Sequence, residues 1–157
     1  MKSGLTMAMM LVGATALAGE VKVAEKDVPI AALDAVAKKY PKARRVGFEK
    51  ESEGGKVAYE VKLVDGTRSI DVDVSPEGKI TAEEEVIAIS DVPPAVREAL
   101  ARSKYGSWTA KKAERVIKDE KLDAPRYEIQ VTNDKSRAEI VFAKDGKIVS
   151  TEGAGRE

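Results

Sequence analysis

Residues 59–74 read Tyr-Glu-Val-Lys-Leu-Val-Asp-Gly-Thr-Arg-Ser-Ile-Asp-Val-Asp-Val, and the order of apolar and polar side chains in them decides the fold. Tyr59, Val61 and Leu63 alternate with Glu60 and Lys62, and Ile70, Val72 and Val74 alternate with Asp71 and Asp73. A period of two places one set on each face of a strand, so this is a hairpin with one buried and one polar face. Asp65-Gly66 between the runs supplies the turn. The same sorting returns in 127–142, where Tyr127, Ile129 and Val131, then Ala138, Ile140 and Phe142, oppose Glu128, Gln130 and Glu139.

Working outward, Pro76-Glu77-Gly78 and Lys144-Asp145-Gly146 are further turns, each leading into a Lys-Ile pair. A less regular strand precedes each hairpin, over about 44–51 and about 108–118, with Val46 and Phe48 expected to point inward. Upstream of these, Asp27-Val28-Pro29 and Asp91-Val92-Pro93 stand 64 positions apart and open short amphipathic helices. Leu33, Val36, Ala37 and Tyr40 form the apolar stripe of the first, and Val92, Val96, Ala99 and Leu100 that of the second. Proline suits a helix start, and Pro41 in one segment and Gly106 in the other suit its end. Between the hairpins the offset is 68, so one small insertion separates two otherwise parallel readings. The fold class expected is α+β: two tandem repeats of a helix plus an antiparallel meander of three or four strands, with the helices packed on one face of a six- to eight-stranded sheet or pair of sheets.

The N-terminus carries Lys2, an apolar stretch from Leu5 to Leu17, and the small-residue ending Ala16-Leu17-Ala18. This pattern predicts a secretory signal over residues 1–18, shorter than a membrane span. Residues 19–86 then form the first repeat and 87–157 the second, with a short frayed tail. Removing the signal leaves 139 of the 157 residues and 26 basic against 27 acidic groups, so no global field attracts nucleic acid. The absence of cysteine rules out disulfide staples and thiol lipidation, leaving a periplasmic or secreted protein without a lipid anchor and, after cleavage, without a membrane anchor. For so small a chain this favours one shared core.

A helix starting at Val-Pro and ending at Tyr-Pro, a Tyr-Glu-Val strand, a glycine turn and a Gly-Lys-Ile turn, all met twice between Val28 and Glu152, resemble the PepSY-like family of small exported bacterial proteins. The resemblance implies a beta-lactamase-inhibitory-protein-like arrangement of tandem units, no catalytic residues, and a sheet that docks on a protein partner. The relation to units found in metallopeptidase propeptides implies that this partner is a peptidase, inhibited or regulated by the docking. Asn133-Asp134-Lys135, in place of the tighter Asp65-Gly66, departs from the pattern, as does Trp108, which has no aromatic counterpart.

Chemistry is sparse. With neither histidine nor cysteine, the commonest base, nucleophile and metal ligands are missing, so no cofactor and no metal site is expected. Asp71-Val72-Asp73-Val74-Ser75-Pro76 lacks the glycine that a calcium loop needs at its sixth position. Glu83-Glu84-Glu85 reads as a charged edge strand that discourages aggregation. The candidate partner-binding residues are therefore those of the polar sheet face, Glu60, Lys62, Asp71, Asp73, Glu128, Gln130 and Glu139, with Trp108 as an exposed anchor. Two rivals remain: a periplasmic carrier holding a small ligand or a cation between helices and sheet, and an enzyme working through carboxylates alone, which requires clustered acids of raised pKa.

Overall fold

A computed structural model describes residues 21–53, 55–119 and 124–153. The predicted signal, residues 1–18, lies outside the described residues, as does the tail after Gly153. The alternating segments form a single antiparallel sheet of nine strands in strict sequence order, β1 (Val21–Lys22), β2 (Arg44–Glu53), β3 (Lys56–Asp65), β4 (Arg68–Val74), β5 (Ile80–Ile87), β6 (Thr109–Lys118), β7 (Arg126–Thr132), β8 (Arg137–Ala143) and β9 (Ile148–Glu152). Helix α1 (Ile30–Lys39) precedes β2 and helix α2 (Pro94–Arg102) precedes β6, each entered through a short 3₁₀ turn. Four strands follow each helix, and the added β1 takes the sheet beyond the expected eight strands. Among the described residues no helix is long and apolar enough to cross a membrane.

Apolar periodicity is realised as anticipated in the hairpins. Val61, Leu63, Ile70 and Val72 are buried beneath α1, which contributes Ala32, Leu33 and Val36. Ile129, Val131, Ile140 and Phe142 are buried with Val92 and Val96 of the α2 segment. Each such side chain contributes roughly 1.5–3 kcal/mol by leaving water. Tyr59 and Tyr127, both 7% exposed, belong to these clusters as their spacing predicts. Ala37, expected in the apolar stripe, lies on the exposed side of α1, because the sheet-facing stripe of the helix is made by Ala32, Leu33 and Val36.

Two expectations change. The interior is divided into two apolar clusters, one under each helix, so the shared element is the sheet and not one core. Where β5 meets β6 on the helix side, Glu85 receives Arg68 at 2.7 Å and Arg115 at 2.5 Å, an ionic seam between the clusters. These guanidinium partners hold the Glu85 carboxyl below its usual range, against the opposing effect of partial burial. The second change concerns Val46, which is 49% exposed. A β-bulge between Arg45 and Gly47 ejects it from the ladder, while Phe48, opposite Val61, packs half-buried on the first cluster.

Both helices rest on turns that only glycine can form. A Cβ on Gly78 would stand 2.5 Å from the carbonyl oxygen of Ala31, and one on Gly146 would stand 2.5 Å from that of Ala95. The close approach lets the β4–β5 and β8–β9 turns seat against α1 and α2 respectively.

Candidate functional site

Register fixes which side chains share the face opposite the helices. Across the first half, Glu49, Glu60, Asp73, Ala82 and Lys118 lie in one row on β2 to β6. The next row holds Lys62, Asp71, Glu84, Val116 and Arg126, and beyond it come Val86, Glu114, Glu128 and Val141. Lys112, Gln130 and Glu139 complete the band. The structure thus brings together on one face all seven polar residues singled out in the sequence. It does not bring Trp108 to them.

Trp108 is half-buried on the helix side, packed against the second apolar cluster and edge-on to Tyr105, with ring centroids 5.0 Å apart. Its expected exposure is corrected, because the turn after α2 folds the indole back onto the domain. The triple glutamate is corrected as well. β5 lies at the centre of the sheet, and the three carboxylates split between its faces. Glu83 and Glu85 face the helices, and Glu84 faces the acidic band.

Glu83 accepts hydrogen bonds from the Tyr40 hydroxyl and from Lys39 Nζ, the latter at 2.5 Å. Burial and this bond to a carboxylate both raise the pKa of the Tyr40 hydroxyl. Tyr40→Phe should lower stability by ~1–2 kcal/mol, because Glu83, only 6% exposed, loses one of its donors. A thermal melt checks it, and an unchanged Tm would show that Lys39 suffices.

The polar face is drier than alternation implies. Glu49, Glu60, Asp73, Glu84, Glu114 and Glu128 are all less than one-tenth exposed, because each strand's carboxylates are flanked by those of the next. Part of the charge is balanced. Lys62 Nζ stands 3.2 Å from Glu49 and 2.9 Å from Glu60, and Lys112 Nζ stands 2.6 Å from Glu114. Burial disfavours the Lys62 ammonium, but its bonds to Glu60 and Glu49 outweigh this and raise its pKa.

The centre is not balanced. Asp73 Oδ2 and Glu84 Oε1 are buried and have no hydrogen-bond partner. Burial, then the charges of Glu60, Glu51 and Asp71, against relief from Lys118, push the Asp73 carboxyl up to about 8. Burial, with Asp73, Glu128, Glu114 and Glu60 adding repulsion, pushes Glu84 up to about 10. Glu128 is raised to about 7 by burial and by Glu139 and Glu114, with Lys118 and Lys112 opposing. Burial also raises Glu60, Asp71 and Glu139, moderated respectively by Lys62, by Lys62, and by a 3.3 Å hydrogen bond from Gln130 to Glu139.

Glu84, Glu114, Glu49 and Lys112 escaped the sequence reading. The irregular strands β2 and β6 carry bulges that blur their alternation, and Glu84 was hidden within a run of three acids. The pairing Val72↔Glu83 is the signal that separates them, and it is a tertiary one. The arrangement can hold positive charge. Among the described residues no three acidic side chains are grouped so as to hold a metal ion.

Known proteins place this geometry. The superposable solved structures include a "putative periplasmic protein" from Bacteroides eggerthii (21% identity, 80% of this chain and 88% of that one, TM-score 0.69). A DUF2874 family protein from Bacteroides uniformis gives 20% identity, 80% and 88% coverage, and a TM-score of 0.68. A BLIP-like protein from Bacteroides fragilis gives 20% identity, 81% and 86% coverage, and a TM-score of 0.64. At such identities the likeness is one of fold. No curated protein sequence matches the chain. The family described as "Putative beta-lactamase-inhibitor-like, PepSY-like" matches twice, over residues 18–82 and 57–150, and the chain belongs to it.

Proposed function

We propose that this protein is an exported, non-catalytic binding module that presents the acidic face of its sheet to a protein partner, with inhibition or regulation of a peptidase as its role. The observation that carries the reading is the acid-rich band that places a carboxylate on every strand from β2 to β8, on the side of the sheet opposite both helices. The family's description as inhibitor-like, and the description of proteins sharing the fold as periplasmic and BLIP-like, support it. In this reading residues 1–18 direct export to the periplasm or beyond. Residues 19–86 and 87–157 are repeats of one helix-plus-meander unit, and Glu60, Lys62, Asp71, Asp73, Glu128, Gln130 and Glu139 contact the partner.

Raised carboxyl pKa values are what an acid–base enzyme would also need. They arise here from acids strung across seven strands, β2 to β8, and burial explains them without a reaction. The carrier alternative has one observation in its favour, a depression of about 600 Å³ beside α1 lined by Ala35, Lys38, Lys39, Gly78, Lys79, Ile80 and Asp119. Its three lysines suit an anion better than a cation.

A pull-down from the exported fraction tests the proposal, comparing wild type with the charge-reversed Lys62→Glu/Asp73→Lys/Glu128→Lys chain and with Asp34→Lys/Glu98→Lys, which alters exposed helix positions. The expected result is a protein retained by wild type and by the helix variant and lost from the sheet variant, each bait being folded by circular dichroism. Equal recovery by all three would remove the sheet face from the proposal.

A further inference from the structure

We propose that Asp73 and Glu84 together form the recognition point for a cationic side chain, an arginine or lysine carried on a segment of the protein partner. This deepens the binding-module reading and rests on it.

Four observations converge. Asp73 is 4% exposed, yet its Oδ2 has no partner, and Glu84 Oε1 is in the same condition. A buried acceptor left without a donor is costly, and more so when charged. The fold does not require the acid. Asp73 stands opposite Glu60 in the β3–β4 ladder, and the residue that stands opposite Glu128 in the β7–β8 ladder is Val141. An apolar side chain serves at that ladder position, so the aspartate is retained at a cost in stability, as binding groups often are.

Position supplies the third. Glu84 is directly opposite Asp71, which makes Asp73 its diagonal neighbour across the β4–β5 pair, roughly 7–8 Å away along the ladder. Two carboxyls so placed can accept the separate N–H groups of one guanidinium. Charge supplies the fourth. Lys62 is already shared by Glu49 and Glu60, Lys112 is engaged by Glu114, and Lys118, next to Ala82 in the Asp73 row, relieves the Asp73 carboxyl only in part. With no metal-holding group of acids among the described residues, an organic cation fits better than a metal ion.

Arrival of the cation is coupled to protons. Asp73 and Glu84 hold theirs at neutral pH in the free protein, for the reasons of burial and mutual repulsion given above, and a bound guanidinium favours the carboxylate forms. Binding therefore releases protons and tightens as the pH rises.

Fluorescence anisotropy with a labelled hexa-arginine peptide, and with its citrulline counterpart as the uncharged probe, tests this on the full purified protein. Asp73→Asn/Glu84→Gln keeps size and shape and should weaken hexa-arginine binding by at least about tenfold. Asp34→Asn/Glu98→Gln should leave it unchanged. Calorimetry in buffers of different ionisation enthalpy should show proton release for wild type and less for the double variant. Equal affinity for wild type and Asp73→Asn/Glu84→Gln overturns the inference, as does equal binding of the citrulline peptide. So does a calcium-induced shift of the Asp73 and Glu84 carboxyl resonances that excludes the peptide. If the pull-down partner is kept by wild type and by Asp73→Asn/Glu84→Gln but lost from the charge-reversed chain, the binding face stands and this recognition point falls. Loss of discrimination in the pull-down alone removes the face.

Discussion

Gly146→Ala is expected to destabilise the protein by ~2–4 kcal/mol, and Gly78→Ala by a similar amount. Both residues have a left-handed backbone, with φ of 88° and 87°, which an L side chain adopts at a penalty of about 1 kcal/mol. The larger part of the effect is contact. The new Cβ would meet a helix carbonyl oxygen at 2.5 Å, and because that neighbour is backbone it yields only if the whole helix lifts from the sheet. Lifting α2 would uncover Val96, and lifting α1 would uncover Val36, both at most 1% exposed. Gly66→Ala separates the two causes. Gly66 also has positive φ, at 64°, but nothing lies within 4 Å of its missing Cβ, so its substitution should cost only about 1 kcal/mol. Urea midpoints for the three variants give the comparison. A Gly66→Ala protein as unstable as Gly146→Ala would mean that backbone conformation, and not helix seating, is responsible.

The second large effect is on pH. A carboxyl whose pKa is raised by folding binds its proton more tightly in the native than in the unfolded chain. Its contribution to stability is therefore complete below the ordinary carboxylate range and is lost as the pH rises through the folded value. The folded values of about 7 for Glu128, about 8 for Asp73 and about 10 for Glu84 set the window. The free protein should lose at least ~5 °C of Tm between about pH 5 and about pH 9. The raised groups Lys62 and Tyr40 release protons above that window, and Glu85, whose carboxyl is held low, loses its contribution below it. Asp73→Asn/Glu84→Gln should flatten the profile and raise Tm at the alkaline end, since neutral amides at those positions have no charge to desolvate. A wild-type Tm that stays level or rises from about pH 5 to about pH 9 would contradict the burial of these acids. The same substitution is predicted to weaken binding of a cationic partner, so stability and recognition should move in opposite directions.

How far the sequence led depends on the range of each signal. Alternation in 59–74 and 127–142 is a local property of extended chain, and it sorted Val61 from Glu60 and Ile129 from Glu128 without any knowledge of neighbours. Proline and glycine likewise marked the helix ends and the turns through their own backbone preferences. The irregular strands were harder. The bulge at Val46 reverses the outlook of one residue, and its cause is a mismatch with the partner strand.

Sequence by itself thus determined the α+β class, the two helices and the meander after each, the two apolar stripes, and the polar side of each hairpin, with Glu60, Lys62, Asp71 and Asp73 on one and Glu128, Gln130 and Glu139 on the other. Only the tertiary structure decided that β5 pairs with β6 to make a single nine-stranded sheet, that the interior falls into two clusters, and that Trp108 turns away from the face. It also decided that Glu84 joins Asp73, and that the polar face is dry enough to hold protons on its acids. The physical reason is that a side chain's direction follows from its own backbone, whereas its solvation and pKa follow from charges on strands that are distant in sequence and adjacent only after the register is set.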